Sequence, residues 1–234
     1  VEQEQILFGN GTNELLEMII RTCMRPEDNI VYAQSSFIVY KLVSMAIGAE
    51  IREVPLKEMR YDLPAIAAAM DEKTKLIFIA NPNNPTGSYI TRDELDAFLE
   101  AIPETTLVVM DEAYFEYVDA EDYPNGLDYL PKRKNLLVTR TFSKCYGLAG
   151  LRIGYAVGHP EIIDYLNRGR QPFNVNSLAQ IGAMAALDDT EHLERARTLN
   201  RSEMNRIVPE IEKMGCKVTP SQANFVLVDF GRDV

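Results

Sequence analysis

Six short runs rich in Val, Ile and Leu stand out from the polar background, at Asn29–Ala33, Glu50–Val54, Leu76–Ala80, Leu107–Met110, Leu136–Thr139 and Ile153–Val157. Apolar runs this short, bounded by turn formers, suit strands buried on both faces. Between them, Asn13–Met24, Ile38–Ile47, Leu63–Met70 and Thr91–Ala101 carry helix-length periods, the second closed by Gly48 as a C-terminal stop. Thr91 stands three residues before Glu94, the spacing at which side chains and backbone amides satisfy each other at a helix start. Strand and helix alternate, which predicts an α/β fold with a mixed, mostly parallel sheet flanked by helices, because parallel neighbours need crossover connections.

After Gly158 the pattern turns helical, through Glu161–Arg168, Ser177–Leu187 and Glu191–Met214. The last of these has the length of a bridge to another domain, and Pro209 within it is expected to kink it by removing an amide donor. A strand-like run, Asn224–Phe230, follows. No internal repeat or low-complexity tract is visible.

Composition narrows the function more than the fold. Thirty-five acidic residues against 24 basic ones give a net charge of −11, which opposes binding to a phosphate backbone and makes nucleic acid a poor partner. Cys23, Cys145 and Cys216 are far apart and form no CxxC pair, so reduced thiols in a cytoplasm are expected. No apolar stretch has bilayer length, and Val1-Glu2-Gln3-Glu4 lacks the positive start of a signal peptide; no membrane partner is expected. With only His159 and His192, neither a histidine-rich metal centre nor a Ser/His/Asp triad has much to work with.

The chemistry gathers at three strand ends. Asn81–Gly87 (NPNNPTG) must turn directly after Leu76–Ala80, setting Asn side chains where open α/β sheets bind ligands. Leu107–Met110 runs into Asp111-Glu112-Ala113-Tyr114, an acid with a phenol three residues on. The next strand delivers Thr141-Phe142-Ser143-Lys144, with Gly147, Gly150 and Arg152 close behind. Hydroxyls, an amine and a guanidinium in a glycine-permitted loop suit an anionic ligand. Lys144 lies between Arg140 and Arg152, cations that could lower its pKa and free its amine as a nucleophile. Taken singly, each motif also reads as a polar connector, a helix-capping acid or a solvated cation.

Together, in this order and spacing, NPNNPTG, DEAY and TFSKCYGLAGLRIGY resemble the fold-type I, pyridoxal-phosphate-dependent aminotransferases. The resemblance covers essentially the whole chain. Its finer detail, in GNGTNE (Gly9–Glu14), SSFIVYK (Ser35–Lys41), EDYP (Glu121–Pro124), PFNVNSLAQ (Pro172–Gln180) and SQANFVL (Ser221–Leu227), is most similar to the histidinol-phosphate branch of that family. The resemblance implies residues 1–165 as a cofactor-binding large domain, 166–190 as an interdomain region belonging to it, and 191–234 as the start of an incomplete small α+β domain. It implies pyridoxal 5'-phosphate as cofactor and no metal. Lys144 would bond its amine to the cofactor aldehyde and later carry a proton between substrate Cα and the cofactor. Asp111 would keep the pyridine nitrogen protonated, Tyr114 and Asn84 would hydrogen-bond the phenolic oxygen, and Phe37 would stack on the ring, with plain core packing as its other reading. Thr141, Ser143 and Arg152 would hold the phosphate from one side, and the amides of Thr12 and Asn13 at a helix start from the other. Cys145 reads as packing, Tyr40 and Tyr146 as core, and Phe173 and Asn174 equally well as pocket wall or helix entry.

The implied reaction passes the amino group of L-histidinol phosphate through the cofactor to 2-oxoglutarate, within histidine biosynthesis, in a cytoplasmic homodimer whose partners are otherwise small molecules. Members of the family extend further at both ends, so the arginines that grip substrate carboxylate and phosphate are expected outside this sequence, and this segment alone is expected to be inactive. Two other readings stay open: an aromatic-amino-acid aminotransferase or threonine-phosphate decarboxylase of the same fold, and a non-catalytic cofactor-binding sensor domain.

Overall fold

The computed structural model describes residues 1–232. In chain order its elements are β1 (Ile6–Gly9), α1 (Thr12–Cys23), β2 (Asn29–Ala33), α2 (Val39–Ile47), β3 (Glu50–Val54), α3 (Leu63–Ala68), β4 (Thr74–Ala80), α4 (Arg92–Ala101), β5 (Leu107–Asp111), β6 (Leu136–Thr141) and β7 (Gly154–Gly158). The helices α5 (Pro160–Gly169), α6 (Ser177–Asp188) and α7 (Thr190–Lys213) follow, then the short strands β8 (Lys217–Val218) and β9 (Val228–Asp229).

Seven strands form one sheet in the order β1-β7-β6-β5-β4-β2-β3. The β3-β2-β4-β5-β6 stretch is parallel, and β7 and β1 close one edge with antiparallel pairings. The sheet is mixed and mostly parallel, with helices on both faces. Alternate side chains of β4 go to opposite layers: Leu76 and Phe78 join Leu15, Leu16, Ile19, Ile20 and Leu166 on the α1, α2 and α5 side, and Ile77 and Ile79 join Ile66, Leu95, Phe98 and Leu99 on the α3 and α4 side. Burial on both faces is what makes these strands read as unbroken apolar runs. A smaller cluster of Phe142, Ile153, Val175, Ala179 and Ala183 seats α6 beside the sheet.

Local start and stop signals operate as their chemistry demands. The Thr91 hydroxyl accepts from the Glu94 amide at 3.3 Å, and Glu94 accepts in return from the Thr91 amide at 2.6 Å. Gly48 ends α2 in the left-handed region at φ 76°, a conformation that carries little cost without a Cβ.

The structure departs from the sequence reading in three places. β1 adds an edge strand that is not among the six apolar runs; its four residues are too short for a pattern and are ordered by pairing Leu7 with Ala156 and Gly9 with Gly154. β5 and β6 run on to Asp111 and Thr141, so these residues sit in the ladder itself and not in the loops after it. Of the strand expected over Asn224–Phe230, only Val228–Asp229 pairs, with Lys217–Val218. The preceding Ser221–Phe225 docks onto the NPNNPTG loop, where the Gln222 amide donates to the Gly87 carbonyl at 2.9 Å, and onto Tyr114, whose ring centroid lies 5.1 Å from that of Phe225.

Candidate active site

β2 leads outward to β3, and the chain then crosses back over β2 to β4. Strand order therefore reverses between β3 and β4, and the C-terminal ends of the strands beside such a reversal leave a crevice that helices do not fill. Here Phe37 follows β2, Asn84 follows β4, Asp111 ends β5, and Thr141 ends β6 with Ser143 and Lys144 just beyond. β7 and β1 run so that Gly154 and Gly9 pair at the same edge, which brings the N-terminus of α1 to the crevice. The result is a cavity of about 170 Å³ lined by Thr12, Asn13, Phe37, Asn84, Asp111, Tyr114, Thr141, Ser143, Lys144 and Arg152, together with Ala80, Pro82, Ala113 and Ala149. The ten residues to which the resemblance gives a cofactor-binding role are all on its wall.

Asp111 is buried at the floor. Its Oδ2 accepts from the Tyr40 hydroxyl at 2.8 Å and its Oδ1 from the Thr139 hydroxyl at 3.2 Å. Burial pushes its carboxyl above the usual range, opposed by the hydrogen bonds from Tyr40, Thr139 and the Ala113 amide and by the charge of Lys144. Tyr40, read from sequence as core, is both core and site. Nothing in its neighbours along the chain signals this, since Asp111 is 71 positions away.

On one wall the Asn84 amide donates to the Tyr114 hydroxyl at 3.1 Å, and the Lys144 ammonium lies over the Tyr114 ring, 5.3 Å from its centroid. The NPNNPTG loop divides its asparagines between two tasks. Asn83 is fully buried and donates to the Ser35 carbonyl and the Thr86 hydroxyl at 3.1 and 2.9 Å, while Asn84 faces the cavity. Phe37 lies edge-on to Tyr40, with ring centroids 6.0 Å apart.

Part of the lining suits an anion. Arg152, in the left-handed region at φ 59°, donates from Nη1 to the Ala149 carbonyl at 2.9 Å, and the same nitrogen lies 3.5 Å from the Ser143 hydroxyl. Thr141 and, from the start of α1, Thr12 and Asn13 line the cavity with it. Gly11, at φ 77°, permits this closeness, because a Cβ there would stand 2.3 Å from Arg152 Nη2.

Two expectations need correction. Arg140 does not flank Lys144: Nη2 and Nε donate to Glu112 Oε2 at 2.7 and 2.9 Å, and the guanidinium lies 3.5 Å from the centroid of the Phe115 ring. The side chains of β6 alternate between faces, so Arg140 points away from the cavity that Thr139 and Thr141 face. Phe173 and Asn174 line a separate, larger cavity of about 680 Å³ among Ile6, Phe8, Phe142, Met184 and Leu187. Its only charged lining residue is Arg170, already hydrogen-bonded to Asn167 and Asn174, so it has little chemistry to offer. Among the described residues no group of three His, Cys, Asp or Glu side chains could hold a metal ion, and no helix is long and apolar enough to cross a membrane.

The cavity thus brings together a buried carboxylate, an amine, a phenol and a group of anion donors within a strand-edge crevice. Comparisons with known proteins agree with this arrangement. "Histidinol-phosphate aminotransferase 2" of Pseudomonas fluorescens is 48% identical over 233 residues, spanning 100% of this chain and 63% of that protein. "Histidinol-phosphate aminotransferase 1" of Nitrosococcus oceani is 48% identical over 229 residues, spanning 98% of this chain and 62% of that protein. The chain therefore spans somewhat under two thirds of the curated relatives it matches. Among solved structures, histidinol-phosphate aminotransferase from Sinorhizobium meliloti in complex with pyridoxal-5'-phosphate superposes with a TM-score of 0.93 at 33% identity, covering 98% of this chain and 62% of that one. The family described as aminotransferase class I and II matches residues 1–234. Strand order, cavity chemistry and sequence agree, and the chain belongs to the aminotransferase class I and II family.

Proposed function

We propose that the protein to which this chain belongs is a pyridoxal-phosphate-dependent transaminase that moves the amino group between L-histidinol phosphate and 2-oxoglutarate in histidine biosynthesis. The observation that carries the reading is one cavity lined by the buried acid Asp111, by Lys144, and by Arg152 with Thr12 and Asn13 from the start of α1. A buried acid and a group of anion donors in one cavity fit a heterocycle that carries both a basic nitrogen and a phosphate. The names of relatives 48% identical to this chain support the substrate.

Bound there, pyridoxal phosphate supplies an aldehyde for the amino group and a ring that withdraws electrons from the substrate carbon. The protein's own residues do the rest. Thr141, Ser143 and Arg152, with the amides of Thr12 and Asn13, would hold the phosphate. Asp111 would hold a proton at the ring nitrogen by its charge, which acts strongly because the carboxyl is buried. Tyr114 and Asn84, already hydrogen-bonded to each other, donate to the phenolic oxygen, and Phe37 covers the ring face. Lys144 would bond its Nζ to the cofactor aldehyde carbon and, with that amine freed by the substrate's own, would carry the proton between substrate Cα and the cofactor carbon on the other side of the substrate nitrogen. The same amine serves donor and acceptor in turn.

The same reading takes residues 1–165 as the cofactor-binding domain, 166–190 as its interdomain region and 191–234 as the beginning of a small domain. It makes the enzyme a homodimer, and the three free thiols support a cytoplasmic setting.

The test uses protein extended to the length of its relatives and loaded with pyridoxal phosphate, with the visible spectrum followed as L-histidinol phosphate is added without any keto acid. Conversion to the pyridoxamine form, lost in Lys144→Ala, is the expected outcome. A stronger response to phenylalanine would reassign the substrate to aromatic amino acids. A loaded site that no amine alters would make the protein a cofactor-binding sensor.

A further inference from the structure

Asp111 needs both a charge and a fixed direction if it is to hold a proton on a bound heterocycle, and its own backbone position supplies neither. A carboxylate at a strand end can rotate about χ1 and χ2, and burial favours its neutral form. Thr139, directly opposite it in the β5–β6 register, contributes a long hydrogen bond of 3.2 Å to Oδ1. The shorter bond, 2.8 Å to Oδ2, comes from Tyr40.

Tyr40 is held far more tightly than a hydrogen-bond donor needs for packing alone. Its ring is fully buried, stacks on Phe78 with centroids 4.5 Å apart and planes 16° from parallel, and meets the edges of Tyr32 and Phe37 at 5.8 and 6.0 Å. Three aromatic neighbours, from β2, β4 and the loop before α2, leave the hydroxyl one place to be. Burial and the Asp111 charge push its own ionisation well above the usual phenol value, so it stays a donor. The other titratable groups near the pair are Tyr61, Tyr114 and Lys144.

We propose that Tyr40 is a positioning residue of the transamination: its clamped hydroxyl orients the Asp111 carboxylate into the cavity and keeps it charged, so that the proton of the pair resides on the ring nitrogen rather than on Asp111. Tyr40 touches neither substrate nor cofactor and acts through Asp111. The inference rests on the reading given under Proposed function.

The test compares full-length wild type, Tyr40→Phe and Thr139→Val, each loaded with cofactor labelled with 15N at the ring nitrogen. Phenylalanine preserves the aromatic stack and removes only the donor. The expected result for Tyr40→Phe is a 15N signal moved from the pyridinium toward the neutral pyridine position, with kcat lowered by roughly tenfold and KM for the amino donor within about twofold, as losing one charge-assisted hydrogen bond implies. Thr139→Val, which removes the longer bond, moves the signal less. A Tyr40→Phe enzyme with wild-type signal and kcat overturns the proposal, as does a larger shift in Thr139→Val or a Tyr40→Phe protein that fails to load. Wild type that neither loads cofactor nor shows a protonated ring nitrogen would instead remove the underlying functional reading, and the proposal with it.

Discussion

Glu116 is the most exceptional carboxylate outside the cavity. It is 8% exposed, and its Oε2 has no hydrogen-bond partner, with Arg140 and Arg197 near enough to feel but not to bond. Burial pushes its pKa up to about 7. The folded protein therefore holds the proton more tightly than the unfolded chain, whose Glu titrates near 4.5, and stability contributed by the protonated form is complete below that value and lost as pH rises through about 7. The expected loss is on the order of 3 kcal/mol between pH 4.5 and 7. Glu116→Gln keeps the shape without the charge and should remove that slope; urea unfolding midpoints at a series of pH values across this window would measure it, and equal slopes in both proteins would mean that water reaches Glu116. Glu112 resolves the same problem differently, since Arg140 neutralises it at 2.7 Å. The sequence showed two adjacent acids after β5, and residue type alone could not say that one faces the cavity and the other an arginine on the opposite side of the sheet.

At the scale of elements, the anion cradle depends on how α1 begins. Gly11 carries φ 77°, and Arg152 Nη2 occupies the space a Cβ would take. Gly11→Ala should cost about 1–3 kcal/mol in backbone strain, since φ 77° with ψ 167° is a region essentially reserved for glycine, and push the guanidinium out of its place. Because a charge-assisted hydrogen bond to phosphate is worth about 1.5–3 kcal/mol, the dissociation constant for pyridoxal phosphate should rise by roughly tenfold or more, as read by absorbance titration of the full-length protein. Unchanged affinity would mean that Arg152 does not hold the phosphate. The starts and stops of elements were the most legible part of the sequence: the Thr91–Glu94 pair and Gly48 act over three or four residues, so their partners are in view. β1 was not legible, because a four-residue strand has too little pattern and takes its hydrogen bonds from β7, nearly 150 positions later in the chain.

At the scale of the molecule, α6 presents a stripe that the described residues leave bare. Leu178, Ile181, Met184 and Leu187 are 69%, 64%, 70% and 57% exposed and recur every three residues, a row that winds about half-way round the helix. A contiguous apolar stripe of this kind marks an interface. In the proposed dimer it should be covered by the partner copy, so the double substitution Ile181→Glu and Met184→Glu should shift full-length protein from dimer to monomer in sedimentation velocity. A double variant that remains dimeric would place residues of the same chain, outside this segment, over the stripe. The amino-acid sequence by itself determined which segments become buried strands, where the principal helices start and stop, and which side chains stand at the strand ends, because each of these depends on neighbours a few positions away. Tertiary structure alone decided that Tyr40 serves Asp111 from 71 positions away, that Arg140 belongs to Glu112 28 positions away, and that Asn84 rather than Asn83 meets the cavity. Those outcomes turn on which face of a strand or loop a side chain takes once the sheet closes, and no local pattern encodes what waits on that face.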